Sequence, residues 1–76
     1  MNNLNSHQLY LARKNFKNVI NYYKSGELQQ PLAQELAEEH ISNHPGTLNY
    51  FIDAGILAPG TQPDPAKATF YWYDYT

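Results

Sequence analysis

The sequence predicts a mostly α-helical fold with a small β-hairpin, in which three helices are followed by a short pair of strands. Segments with helical periodicity are separated by glycine, proline and asparagine residues, which end one helix before the next begins. The last residues of the chain are rich in aromatic side chains, which are enriched in strands. The length of 76 residues is that of one domain.

The first predicted helix begins at Ser6, whose hydroxyl can cap it, and ends at Gly26. Its apolar residues recur at helical spacing and form one face: Leu9, Ala12, Phe16, Val19, Ile20 and Tyr23. At about 100° per residue, Arg13, Lys17 and Lys24 fall together beside that face. The segment is therefore expected to be an amphipathic helix with a basic seam.

The second predicted helix, PLAQELAEEHI, starts at Pro31, which suits the first helical position. Its inward residues are Leu32, Ala33, Leu36 and Ala37. His40 lies near its C-terminal end, where a protonated imidazole would interact favourably with the helix dipole. A turn, SNHPG, leads to a third helix over about Pro45 to Ala54, which Gly55 ends.

The segment ATFYWYDY is expected to form the aromatic strand, with Ile56–Leu57 as its short partner strand. The proline-rich stretch APGTQPDPAK is expected to be the loop that connects them. Three helices and a hairpin, with the last two helices joined by a short turn, form a winged helix-turn-helix plan.

The domain organisation follows from these elements. Residues 1–76 form a single winged-helix-like domain, made of a basic N-terminal helix (1–26), a helix-turn-helix (31–57), and a wing loop with an aromatic strand (58–76). The chain has no cysteine, no signal-peptide pattern at its N-terminus and no apolar run long enough for a membrane span. We therefore expect a soluble cytoplasmic protein.

Charge is distributed unevenly along the chain, whose formal net charge is −2. Four of the five cationic residues lie in residues 1–26, where there is no acidic residue. The rest of the chain carries all seven acidic residues and only Lys67 as a cation. Phosphate contacts are therefore expected from the N-terminal helix, unless it is simply a solvated helix face.

The stretch GTLNYFIDAGILAP resembles the recognition helix of the MerR class of regulators, a winged helix-turn-helix module shared with phage excisionases. The family pattern T-L-R-Y-Y-E-x-x-G-L-L-x-P is matched without a gap, at Thr47, Leu48, Tyr50, Phe51, Gly55, Ile56, Leu57 and Pro59. Upstream, the segment ELA resembles the first helix of the motif, and downstream TFYWYD resembles the wing strand. The resemblance covers residues 31–74.

Three positions depart from the family pattern. The arginine that grips phosphate in the family corresponds to Asn49, its glutamate to Ile52, and the wing arginine to Tyr71. Phosphate neutralisation supplies most non-specific DNA affinity, so the loss of both cations weakens the expected grip. Asp53 would add repulsion if it faced the groove.

Two function hypotheses follow. The first is a small DNA-binding regulator or recombination accessory factor of phage or mobile-element type, which would bind double-stranded DNA and would form a homodimer. Its expected DNA-binding residues are Arg13, Lys14, Lys17, Thr47, Asn49, Tyr50, Lys67 and Tyr71. The alternative is a protein–protein interaction module that binds a host protein through an acidic, aromatic surface. Its expected residues are Glu38, Glu39, Asp53, Trp72 and Tyr73.

Catalysis is not expected, and no cofactor is implied. The chain has no cysteine and no glycine-rich phosphate loop, and its serines occupy helix ends and turns, where capping explains them. His40 and His44 have a spacing that suits a metal on a continuous helix, but Asn43 and Pro45 interrupt that helix. No metal site is therefore predicted.

Overall fold

The computed structural model describes residues 4–68. Four α-helices follow one another: α1 (Ser6–Lys14), α2 (Phe16–Ser25), α3 (Leu32–Asn43) and α4 (Leu48–Asp53). Two single 3₁₀ turns, Pro45–Thr47 and Pro65–Lys67, precede α4 and follow it. The mostly α-helical prediction is confirmed. Among the helices of residues 4–68, none is both long and apolar enough to cross a membrane.

The expected N-terminal helix is two helices, which meet at Asn15. This residue has an extended backbone (φ −147°, ψ 125°), and its Oδ1 accepts a hydrogen bond of 2.9 Å from the backbone N–H of Lys17. Asparagine side chains compete with the helical ladder in this way, and periodicity alone does not reveal the interruption. At the other end, Asn5 caps α1 in place of the expected Ser6, in a capping box with Gln8.

Replacement of Asn15 by alanine is expected to lower the free energy of unfolding by about 1 kcal/mol, because α2 loses its N-terminal cap. Urea denaturation followed by far-UV circular dichroism measures the change. The matched control is Asn21→Ala, an exposed position within α2, where a change within about 0.5 kcal/mol is expected. Equal effects of the two substitutions would contradict the capping role of Asn15.

The hydrophobic core lies between α1, α2, α3 and α4. Its largest fully buried side chains are Val19, Leu28, Leu36, Ile41 and Phe51. The predicted inward alanines of α3, Ala33 and Ala37, are completely buried, which allows neighbouring helices to approach α3 closely. The observed α3 bounds lie within about two residues of the predicted helix, the usual margin for helix ends.

The predicted hairpin is wrong for the residues described, since residues 4–68 contain no strand. Ile56 and Leu57, the expected partner strand, form a buried turn after α4. The Phe51 carbonyl accepts the backbone N–H groups of both residues, and the Ile56 carbonyl accepts Gln30 Nε2 at 2.8 Å. With these groups occupied, the segment has no edge to offer a second strand. The expected aromatic strand lies outside the described residues.

The turn after α4 depends on Gly55, whose φ of 83° lies in the left-handed region. Its backbone N–H donates to the Ile52 carbonyl, which ends α4 and brings Leu57 into the core. The expected end of the third helix at Gly55 is therefore confirmed.

Candidate nucleic-acid interface

Two of the expected DNA-binding lysines flank the break between α1 and α2. We call residues 14–17 the Asn15 junction, with Lys14 and Lys17 on its two sides. Both lysines are exposed, as is Lys24 further along α2, and none of the three forms an ion pair with a carboxylate among residues 4–68. Their charges are therefore available to an anionic partner.

Tyr50 of α4 packs beside this junction. Its ring lies on that of Phe16, the first residue of α2, with centroids 5.1 Å apart. The tyrosine nevertheless remains 57% exposed, while Phe16 is buried beneath it. An exposed phenol is thereby held by a buried ring that directly precedes Lys17.

A second exposed aromatic residue lies on the α1 side of the junction. Tyr10 is 47% exposed, and Lys14 Nζ lies 5.8 Å from the centroid of its ring, within cation–π range. The ring of His7 stacks on the ring of Tyr10, with centroids 6.4 Å apart. Both large exposed aromatic side chains among residues 4–68 therefore contact the junction, Tyr10 at Lys14 and Tyr50 at Phe16.

The remaining residues expected to read DNA from the third helix differ in accessibility. Asn49 is exposed on α4, next to Tyr50. Thr47 is buried, and its Oγ1 donates to the His44 carbonyl at 2.9 Å. Thr47 therefore supports the turn before α4 and is not presented to a groove.

The other two expected cations are paired with α3. Arg13 Nε lies 3.5 Å from Glu39 Oε1, without a hydrogen bond at that nitrogen, and Lys67 Nζ donates to Glu38 Oε1 at 3.0 Å. Both pairs are partly exposed, so each contributes little to stability. A DNA phosphate would nevertheless have to replace a carboxylate at each position.

The same glutamates define the acidic surface of the alternative hypothesis. An open groove of about 280 Å³ is lined by Glu35, Glu38, Glu39 and Lys67. Two of its three carboxylates are engaged by cations of this chain, whereas Asp53 is exposed on α4. Tyr71, Trp72 and Tyr73 lie outside the described residues.

His40 is the one ionisable side chain that is buried among residues 4–68. Its Nε2 lies 2.7 Å from the Ala12 carbonyl oxygen and must donate, because a carbonyl only accepts. Burial lowers the pKa of His40 from 6.5 to about 4, with a smaller contribution from His44, against the opposing effect of the Ala12 hydrogen bond. The imidazole is therefore neutral at pH 7, so it does not supply the favourable interaction that a protonated side chain would make with the helix dipole.

Sequence reasoning assigned no role to Asn15 and missed the burial of His40. A signal for Asn15 was present, because an asparagine followed by an apolar residue is a typical helix start. No local signal indicates His40, since its partners Ala12 and Phe51 are distant in the chain.

Comparisons of the chain with protein-family models, with curated proteins and with solved structures found no match.

Proposed function

We propose that this chain is a small DNA-binding regulator or recombination accessory factor that contacts double-stranded DNA through the Asn15 junction and α4. The observation that carries the proposal is that both large exposed aromatic side chains among residues 4–68 contact this junction: Tyr10 lies beside Lys14, and Tyr50 packs on Phe16, which directly precedes Lys17. Lysines supply the counterion-release term of DNA affinity, and tyrosine hydroxyls bond phosphate oxygens.

Each residue has a distinct part in the proposed contact. Lys14 and Lys17 bind phosphates on either side of the junction, and Tyr50 donates its hydroxyl to a phosphate. Asn49 is the base-reading residue, since an exposed amide forms a bidentate pair with adenine in the major groove. The resemblance of residues 47–59 to a recognition helix supports the placement of α4 in the groove, whereas the role of Asn49 rests on its exposure, because the family carries a phosphate-binding arginine at that position.

The proposal differs from the sequence hypothesis in two cations. Arg13 and Lys67 are left out of the contact, because their partners are Glu39 and Glu38. With few cations per copy, one molecule would bind weakly, so the proposal includes a homodimer on a two-fold symmetric site. It keeps the cytoplasmic location expected from the sequence.

Removal of one junction lysine, in Lys17→Gln, is expected to weaken DNA binding about tenfold, because a charged hydrogen bond to phosphate is lost. The measurement is fluorescence anisotropy with a mixed-sequence duplex, across about 50 to 200 mM salt. The slope of log affinity against log salt is expected to become shallower by about 1.

The matched control is Lys67→Gln, which removes the same charge from a cation already paired with Glu38. Its affinity is expected to stay within about twofold of wild type, because the pair is not part of the contact. Equal losses in the two variants would show that only net charge matters. If wild type does not bind at the lowest salt, the acidic surface around Glu38 and Asp53 becomes the leading interface, tested by capture of a protein partner.

A further inference from the structure

His40 connects two parts of the molecule that carry the proposed DNA contact. On one side its Nε2–H donates to the carbonyl of Ala12, in the last turn of α1 and directly before Arg13 and Lys14. On the other side its ring packs on Phe51, with centroids 5.9 Å apart. Phe51 lies two residues before the end of α4 and follows Tyr50 in the chain. One buried ring therefore contacts both α1 and α4.

We propose that His40 is a positioning residue of the DNA site, which fixes the Asn15 junction against α4 and thereby sets the spacing between Lys17 and Tyr50. This inference rests on the proposed function for its biological meaning, although the geometry stands without it.

The C-terminal end of α1 needs a contact outside its own helix. Asn15 has an extended backbone, so the helical ladder does not pass from α1 to α2 and cannot by itself fix the end of α1. The last turn of a helix also leaves carbonyls that require partners outside the ladder. His40 supplies such a partner for Ala12.

The position of α4 also depends on tertiary contacts. With six residues, α4 is far shorter than a helix that is stable in isolation. Its one fully buried side chain is Phe51, which lies against both Phe16 of the junction and His40 of α3. Tyr50, the neighbour of Phe51, then reaches the outer side of the Phe16 ring. The His40 ring therefore acts on Tyr50 through Phe51, its neighbour in α4.

The surroundings of His40 require the neutral imidazole. On α1, the charged residue adjacent to the His40 contact is Arg13, which pairs with Glu39. On α3, a positive charge on His44 would oppose a positive charge on His40. The residue of α4 that contacts His40 is the uncharged Phe51. Since the pKa of His40 is about 4 in the closed arrangement and 6.5 for a solvated imidazole, protonation favours opening. From pH 7.5 to pH 5 the ratio of open to closed molecules is expected to rise about 30-fold.

The test compares wild type with His40→Gln, which keeps a donor near the Nε2 position but does not ionise, and His40→Leu, which has neither property. Hydrogen exchange of the Asn18 and Ala54 amides reports opening, because these amides donate to the Asn15 and Tyr50 carbonyls. After correction for intrinsic exchange rates, their protection in wild type is expected to fall about 30-fold from pH 7.5 to pH 5, and in His40→Gln to change less than twofold.

A second readout needs no titration. The nuclear Overhauser effect between the Phe16 and Tyr50 rings at pH 7.5 is expected in wild type and in His40→Gln, and is expected to be lost in His40→Leu. DNA affinity should follow the same order, with rescue by glutamine. If His40→Leu does not fold, the exchange profiles of the other two proteins decide.

The outcomes separate the two proposals. A folded His40→Leu that keeps the ring contact, or wild-type protection that does not change with pH, overturns the positioning role while DNA binding stands. If wild type fails to bind DNA but the ring contact and exchange follow His40 as expected, the proposed function falls and the positioning role is retained.

Discussion

Replacement of Phe51 by alanine is expected to lower the free energy of unfolding by about 3–5 kcal/mol. The ring is completely buried and contacts Phe16 at 6.1 Å and His40 at 5.9 Å between centroids, so its removal leaves a cavity at the centre of three helices. A domain of this size has a total stability of about 4–11 kcal/mol. The substitution therefore removes a large part of that stability, measured as a shift of the urea midpoint in far-UV circular dichroism.

The neighbouring residue provides the matched control. Tyr50 is 57% exposed, so Tyr50→Ala is expected to cost less than about 1 kcal/mol and to leave the fold intact. The same variant is expected to lose DNA affinity, because the phenol beside the junction is gone. A Phe51→Ala midpoint no lower than that of Tyr50→Ala would contradict the central position of Phe51 in the core.

Acidification is expected to remove about 3 kcal/mol of stability through His40 alone. The pKa of this imidazole is lowered from 6.5 to about 4 in the folded state by burial, so the unfolded chain takes up a proton more readily. The stabilising contribution is therefore complete above pH 6.5, falls as the pH drops below that value, and is exhausted near pH 4. Urea denaturation at a series of pH values measures this loss.

Other ionisable groups of the chain also contribute to acid stability, so the informative quantity is the difference between wild type and His40→Gln. The glutamine variant is expected to lack the decline between pH 6.5 and pH 5. His7→Gln, at an exposed position of α1, is expected to retain the wild-type profile. Parallel profiles for wild type and His40→Gln would show that another group controls acid stability.

The cationic residues of the chain differ in whether a carboxylate of α3 already neutralises them. Lys14, Lys17 and Lys24 are exposed without a carboxylate partner among residues 4–68, whereas Arg13 and Lys67 are matched to α3. The sequence prediction of one continuous helix puts Arg13 and Lys17 on the same side of that helix. The break at Asn15 interrupts that helix. Arg13, at the end of α1, pairs with Glu39, whereas Lys17, in α2, remains exposed.

Local features of the sequence predicted much of the helical part of the fold. Leucines and alanines at helical spacing indicated α3 and its buried face, and Gly26 and Gly55 marked the ends of α2 and the α4 region. These features are short-range, since periodicity, caps and left-handed glycines act within a few residues. The resemblance to a recognition helix implied that Asn49 and Tyr50 face outward, and both are exposed on α4.

The sequence determined, by itself, that the chain is mostly helical, which apolar faces are buried and which segment carries the positive charge. Only the tertiary structure decided how these parts combine. His40 is a buried donor to the Ala12 carbonyl, and Glu38 and Glu39 form ion pairs with Lys67 and Arg13. Ile56 lies in a hydrogen-bonded turn and not in a hairpin strand. The physical reason is the range of the interactions. Helix formation is governed by neighbours in the chain, whereas a buried imidazole, an ion pair or a saturated backbone carbonyl depends on residues up to about 30 positions away, brought together only when the helices pack.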